Sequence, residues 1–373
     1  MRKRILFLMV HLDYGGAEVG LLTTLKNIDR ERFDCRVLSI EKRGRIGGQI
    51  EKEGFEVIYM NENARLYNLP LVFKIVNVLK RYKPDILHTS LFYANFFGRV
   101  ASLFNRPHAI ITEERSMYTE KRFYHIMLDR LLSRLTDKII VCSKAVLDFT
   151  IKQEGIDPEK FYLIYNAVDA DRFNIIQTKD ALRAGYGFDG GDFIVGTVGS
   201  VIPKKGHKIL IEAAAELNKR IPSLKIIIVG DGQGRQGLEK MVSGAGLKNK
   251  VIFLGSRNDI PELMRTMDVF ALPSFQEGFP RTLIEAMYMS LPVVASEVSG
   301  IPEIVSDGVN GLLVAPGDTQ GLTEKIFMLY ESAKLRDSLG IQARKKVESG
   351  YMPENYARRL EQLYSVLTTR GPQ

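Results

Sequence analysis

The chain has 373 residues, of which 45% are apolar and 26% charged, and it carries a formal net charge of +8. These proportions exclude a largely disordered, collagen-like or disulfide-scaffold protein. At about 150 residues per domain, the length predicts two domains.

The first residues, MRKRILFLMV, place a basic start before an apolar run at residues 5–10, which His11 and Asp13 then break. The run is too short for a bilayer span and lacks a small-residue cleavage site, so it reads as a first buried strand. Further strands are predicted at residues 35–40, 56–59, 86–89, 109–112, 138–142 and 161–164. A second series follows at 193–199, 224–229, 251–254, 269–272, 293–295 and 311–314. Many are continuous apolar runs, the pattern of strands covered on both faces in a parallel sheet. Helical periodicity fills the gaps, as at residues 71–81, 209–220 and 282–289. Repeated β-then-α units predict an α/β protein with two doubly wound sheets.

A Gly- and Asp-rich stretch at residues 169–192, DADRFN followed by GYGFDGGD, separates the two series and reads as a linker. The expected domains are residues 1–170 and 191–352, with the linker at 171–190. An amphipathic helix from 353 to about 373 is expected to pack back on the first domain. Ligands of such sheets bind at the carboxyl ends of the strands, so two facing sheets would leave a cleft between them. Cys35 and Cys142 both adjoin apolar runs and read as buried free thiols, which fits a cytoplasmic, reducing location.

Residues 1–170 hold 27 basic residues against 21 acidic ones, so most of the positive surplus lies in the first half. Within it, SMYTEKRFYHIMLDRLLSRL (residues 116–135) interleaves Lys121, Arg122, Arg130 and Arg134 with Met117, Tyr118, Phe123, Tyr124, Ile126 and Met127. Two readings stand: a surface for an anionic membrane, or a core-facing helix with a solvated basic side. No nucleic-acid motif accompanies the charge.

The segment richest in chemistry is FQEGFPRTLIEA, residues 275–286. It follows a predicted strand, and Pro280 favours a helix start there. The amides of Gly278, Phe279, Arg281, Thr282 and Leu283 would point from that helix end, a ready place for phosphate. Glu277 would stand on the loop and Glu285 in the second turn, each a carboxylate suited to sugar hydroxyls. By spacing alone, a solvated loop acid and a helix acid remain the simpler reading. Gly15 and Gly16 follow the first strand and can bring bare backbone near a pyrophosphate, or simply turn the chain. Lys205 follows the strand at 193–199, where a cation can neutralise a leaving diphosphate. Asp169 and Asp171 match a metal-binding D-x-D pattern, but no third oxygen ligand stands near in sequence.

The run LPSFQEGFPRTLIEAMYMSLPVVASEVSGIPEIVSDGVNGLLVAPGD closely resembles the donor region of the family 4 retaining glycosyltransferases, with its E-x7-E motif. Tyr14-Gly15-Gly16-Ala17-Glu18, Asn166-Ala167-Val168-Asp169, Val198-Gly199 with Lys205-Gly206-His207, and Val229-Gly230-Asp231-Gly232 match further family motifs in order. The resemblance spans nearly the whole chain. It implies the GT-B fold, two Rossmann-like domains facing each other across a cleft. It implies transfer of a sugar, with retention, from a nucleotide-sugar donor (UDP favoured) to a hydroxyl of a glycan, lipid-linked glycan or glycolipid acceptor in cell-envelope polysaccharide synthesis. It also implies catalysis without a metal or cofactor, and an enzyme that is cytoplasmic, either free or peripheral on the inner face of the membrane.

Carried over by residue, Glu285 would hold the ribose, Glu277 the transferred sugar, and Lys205 with the helix amides the diphosphate. Gly230 and Gly232 would line the donor loops, and Gly255 with Arg257 the base. Two positions depart from the family. Ser200 stands where an arginine is common, leaving Lys204 or Arg281 as candidate second cations. Glu114 stands where a histidine near the reacting sugar is common, and His88 is a neighbouring candidate. Three rival readings remain: a sugar-nucleotide epimerase on the same fold, a non-catalytic glycosyltransferase-like subunit, and a nicotinamide-dependent oxidoreductase.

Overall fold

The computed structural model describes residues 2–66 and 68–369. Contacts divide the chain into two units, Met1–Ala167 with Pro353–Gln373, and Val168–Met352.

In the first unit the strands are β1 (Lys3–Met9), β2 (Phe33–Ser39), β3 (Glu56–Tyr59), β4 (Ile86–Ser90), β5 (Ala109–Glu114), β6 (Lys138–Val141) and β7 (Phe161–Leu163). They form one parallel sheet in the order β3-β2-β1-β4-β5-β6-β7. The helices between them are α1 (Gly16–Asn27), α2 (Arg45–Lys52), α3 (Leu69–Tyr82), α4 (Phe92–Ser102), α5 (Phe123–Leu132) and α6 (Lys144–Glu154). In the second unit come α7 (Lys179–Gly185), β8 (Phe193–Val198), α8 (His207–Arg220), β9 (Leu224–Val229), α9 (Arg235–Gly244), β10 (Val251–Gly255), α10 (Ile260–Thr266) and β11 (Val269–Leu272). Then follow α11 (Arg281–Tyr288), β12 (Val293–Ser296), β13 (Leu312–Val314), α12 (Thr319–Glu331) and α13 (Ala333–Gly350). The parallel order is β10-β9-β8-β11-β12-β13. The last helix, α14 (Pro353–Thr369), returns to the first unit; residues 370–373 of the expected helix lie outside the described residues.

The continuous apolar strands are buried, as covering both faces of a parallel sheet requires. β1 and β8 are central, and β8 is buried along its whole length. One face of the first sheet packs on α1, α2 and α14, through Leu22, Leu25, Ile46, Leu360 and Tyr364. The other packs on α3 and α4, through Leu71, Ile75, Leu79 and Phe97. Cys35 and Cys142 are both buried and free. α14 is tied in by polar contacts as well: Glu361 accepts from the Asp29 amide at 2.8 Å, and His88 Nδ1 lies 2.5 Å from Tyr364 Oη.

The stretch at 169–192 is not a bare linker. Residues Ala170–Phe173 form a 3-10 turn, and α7 lies within the second unit. Lys179 Nζ and Arg183 Nη2 bond the two oxygens of Asp268 at 2.7 and 2.6 Å, and Arg183 Nε donates to the Thr266 carbonyl at 3.0 Å. Charge-assisted bonds to one buried-side acid hold the segment, so it lacks the apolar period that would announce it.

Candidate active site

At the carboxyl end of β8 the chain turns through Ser200, which is exposed, into the 3-10 turn Pro203–Lys205, and Gly206 at φ +66° starts α8. The loop after β11 runs alongside. The Phe275 amide donates to the Lys204 carbonyl at 2.8 Å. A Cβ on Gly206 would overlap the Pro273 carbonyl oxygen, so only glycine permits this approach. The two loops joined in this way place Lys205 Nζ 2.6 Å from Glu277 Oε1. Ser274 Oγ donates to the same oxygen at 2.7 Å. Glu277 is buried, so the pair works in a poorly solvated place where charge interactions are strong. Ser274 went unnoticed in the sequence, where only its place beside the motif could have marked it.

Pro280 caps α11, and Gly278 and Phe279 just before it are buried. The Phe279 ring meets Tyr351 at 5.2 Å, which anchors the loop. The first-turn residues Arg281, Thr282 and Leu283 follow, and Glu285 comes one turn later, buried. Burial pushes the Glu285 pKa up, with Arg172 and Arg281 pulling it back and Asp169 adding to the rise. Arg172 and Asp169, read as linker residues, are thus electrostatic neighbours of Glu285. The structure sets Arg281 at the helix start near Glu285 and leaves the Lys204 side chain exposed.

Gly230 has φ +136° and its amide donates to the Gly255 carbonyl at 2.8 Å; a Cβ there would overlap the Gly199 carbonyl. A Cβ on Gly232 would crowd the Val201 carbonyl. Both glycines therefore serve the close approach of the β8 and β9 loops. Arg257 is directed at Asp259, with Nε 2.8 Å from Oδ1, and Tyr186 shares that acid at 2.6 Å. His207, at the start of α8, is buried, and burial lowers its pKa to about 4, with Lys205 adding to the effect.

In the first unit the expected site residues stand as follows. Gly15 and Gly16 do stand where β1 leads into α1, but the buried Glu18 carboxylate bends back onto Gly15, into the space a Cβ there would occupy. Burial pushes its pKa up, with its own backbone amide, His11 and Arg115 pulling it back. The carboxylate fills the Cβ side of Gly15, while Gly16 is exposed. His88 is a core residue, 2% exposed, held between Tyr364 and Glu113, whose Oε1 lies 3.2 Å from its Nε2. It has no free face for a substrate.

Glu114 is buried too, and alternation along β5 sends it away from its neighbour Glu113. Asn95 Nδ2 donates to its Oε1 at 3.0 Å. Burial raises its pKa to about 7; Lys121 opposes this, while Glu154 and Asp129 add to it. It does not pair with Arg115, which takes Glu113 at 2.8 Å. Burial works to raise the Glu113 pKa, but Arg115, His88 and Ser90 outweigh it and hold that carboxyl well below the usual range. Among the described residues no group of three or more His, Cys, Asp or Glu side chains could hold a metal ion. No helix among them is long and apolar enough to cross a membrane.

The chain thus has two parallel, doubly wound sheets, with a lysine–glutamate pair and a glutamate-bearing helix start at the strand ends of the second. Residues 14–172 match the family described as Glycosyltransferase Family 4, and residues 178–346 match Glycosyl transferases group 1. The structure of Anabaena HepE in complex with UDP and glucose superposes with a TM-score of 0.88 at 28% identity, covering 98% of this chain and 100% of that one. The Escherichia coli UDP-Gal:alpha-D-GlcNAc-diphosphoundecaprenol alpha-1,3-galactosyltransferase is 26% identical over 372 residues, 93% of this chain and 96% of that one. The Bacillus subtilis putative glycosyltransferase EpsD is 28% identical over 294 residues, 74% and 76% of the two chains. The chain belongs to the family 4, or group 1, glycosyltransferases.

Proposed function

We propose that the protein moves a sugar from a UDP-sugar to a hydroxyl of a glycan or lipid-linked glycan, with retention at the anomeric carbon, on the cytoplasmic side of the cell envelope. The observation that carries this is the Lys205–Glu277 pair held at 2.6 Å beside the start of α11. The UDP complex of the Anabaena neighbour and the diphosphoundecaprenol substrate of the Escherichia coli relative support the donor and the acceptor class.

Breaking the glycosyl–phosphate bond builds negative charge on the diphosphate and oxocarbenium character on the sugar. Lys205 and the first-turn amides of α11 would meet the diphosphate, at fixed positions that need no reorganisation. Glu277 would hold the transferred sugar through its hydroxyls, and Glu285 the ribose. The acceptor proton would pass to the departing phosphate oxygen on the same face, so no protein base is required. That fits an acceptor unit in which His88 and Glu114 are both enclosed. In this reading neither metal nor cofactor takes part.

The test is a thermal-shift screen of nucleoside diphosphates and nucleotide sugars. A saturating ligand stabilises the native state by several kcal/mol at high excess. UDP should raise the melting temperature, Glu285→Ala and Lys205→Ala should each reduce the rise, and EDTA should leave it unchanged. Absence of any nucleotide response would sink the proposal.

A further inference from the structure

Where β1 leads into α1, a buried acid and a half-exposed imidazole stand face to face. Glu18 Oε1 lies 3.5 Å from His11 Nδ1, and neither atom has a hydrogen bond among the described residues. Glu18 is 2% exposed. The His11 side chain is 41% exposed although its Nδ1 is buried. The exposure therefore belongs to the rest of the ring, where Nε2 is.

Three features fix the pair in place. The Leu12 carbonyl accepts from the Ile46 and Gly47 amides at 2.9 and 3.1 Å. Asp13 Oδ1 accepts from the Arg45 amide at 3.3 Å. The loop that carries His11 is thus pinned to the start of α2. Gly15 supplies the third feature. Its φ of −158° is extended backbone that any residue adopts, so backbone freedom is not what this glycine provides. It provides the empty Cβ position, which Glu18 Oε2 occupies. A side chain there would push the flexible end of the acid away from His11.

An imidazole whose Nδ1–H points at a carboxylate is held in one tautomer, with the lone pair on Nε2. Such a nitrogen accepts a hydrogen bond. An anion is disfavoured, because Glu18 stands behind the ring and Asp13 two residues along. Tyr14 is 47% exposed on the same loop. An aromatic side chain beside a few fixed polar groups is the usual lining of a small-molecule site.

We propose that His11 Nε2, oriented by Glu18, accepts a hydrogen bond from a hydroxyl of the acceptor sugar. The attacking hydroxyl needs its own proton for the departing phosphate oxygen, so the hydroxyl that His11 takes is a second one. The reacting unit of the acceptor is then a polyhydroxylated sugar and not a simple alcohol. His11 touches the substrate, and Glu18 is a positioning residue. The inference rests on the reading that the first unit takes the acceptor, and it narrows the acceptor class.

The test is nitrogen NMR of the full chain labelled in its histidine rings, in mildly alkaline buffer. The probes are the methyl glycosides of glucose, galactose and N-acetylglucosamine, with propanol and inorganic phosphate as controls. The His11 signals are those lost in His11→Ala. In wild type the lone pair should sit on Nε2, and at least one glycoside, but neither control, should shift that resonance. Glu18→Ala should return the ring toward the Nε2–H form and weaken the glycoside response about tenfold, the worth of one hydrogen bond. Gly15→Ala, which moves the acid without removing it, should do the same and carries the test if Glu18→Ala does not fold. A wild-type ring with its proton on Nε2 would overturn the proposal. So would the absence of a glycoside shift, or a shift that propanol or phosphate reproduces. Loss of the UDP-induced thermal shift in wild type would instead refute the donor reading and leave the His11 result standing.

Discussion

The ammonium of Lys205 and the carboxylate of Glu277 lie 2.6 Å apart although 72 residues separate them. Each preorganises the other before any donor arrives. Lys205→Ala should lower kcat by about a hundred- to a thousandfold, the usual cost of one lost electrostatic stabiliser. The Lys205→Ala/Glu277→Ala double variant should lose less than the product of the single losses, since the two act as a unit. Steady-state kinetics on the four proteins gives the coupling directly.

Glu285 offers a desolvated carboxylate, and bonds to ribose hydroxyls would be charge-assisted. Glu285→Ala should weaken UDP binding by roughly ten- to a hundredfold, as read by calorimetry. Because burial raises its pKa, acidification should begin to weaken UDP binding above the pH at which an ordinary glutamate titrates.

Glu114 is raised from 4.5 to about 7. The folded protein therefore holds that proton more tightly than the unfolded chain does. Its contribution to stability is complete below pH 4.5 and disappears as pH rises through 7. Glu114→Gln keeps the bond from Asn95 and abolishes the titration. The variant should gain on the order of 3 kcal/mol over wild type at pH 8 relative to pH 4.5, which urea unfolding at the two pH values would show. No difference between the two conditions would refute the assignment.

Gly206 combines φ +66° with a backbone oxygen in the space of a Cβ. Gly206→Ala should destabilise the second unit by at least about 2 kcal/mol and separate the loops that join Lys205 to Glu277. Both the melting temperature and the UDP-induced shift should fall.

Tyr364→Phe removes the hydroxyl 2.5 Å from His88 Nδ1 and strands a buried nitrogen. The expected cost is about 1–3 kcal/mol in thermal unfolding, with no change in UDP binding.

All thirteen strands among the described residues were legible as apolar runs, to within two residues at each end, because a parallel sheet buried on both faces leaves its mark in local composition. The helix at Pro280 was legible for an equally local reason, the fixed φ of proline. What escaped reading was set by distant partners. α7 is held by Asp268, far along the chain. The Glu113–Arg115–Tyr356 network depends on a helix that returns from the far end of the sequence. In α5 the apolar spacing was correct for a helix, but spacing cannot tell which side faces the core; the buried ion pairs of Asp129 with Arg99 and Lys121 decide that. His88 lies in the middle of β4 and Glu114 at the end of β5, and both point into packed polar clusters, a direction that no spacing encodes.

The return of α14 has a consequence for the order of synthesis. The second unit is one continuous stretch, Val168–Met352, and can condense as soon as it leaves the ribosome. The first unit cannot. The apolar face that takes Leu360, Leu363, Tyr364 and Leu367 must wait while the whole second unit is translated, on the order of ten to forty seconds at about 5–20 residues per second. The domain made first is thus finished last. A premature stop at codon 353 would spare the later domain and leave the earlier one open, a target for chaperones and proteases.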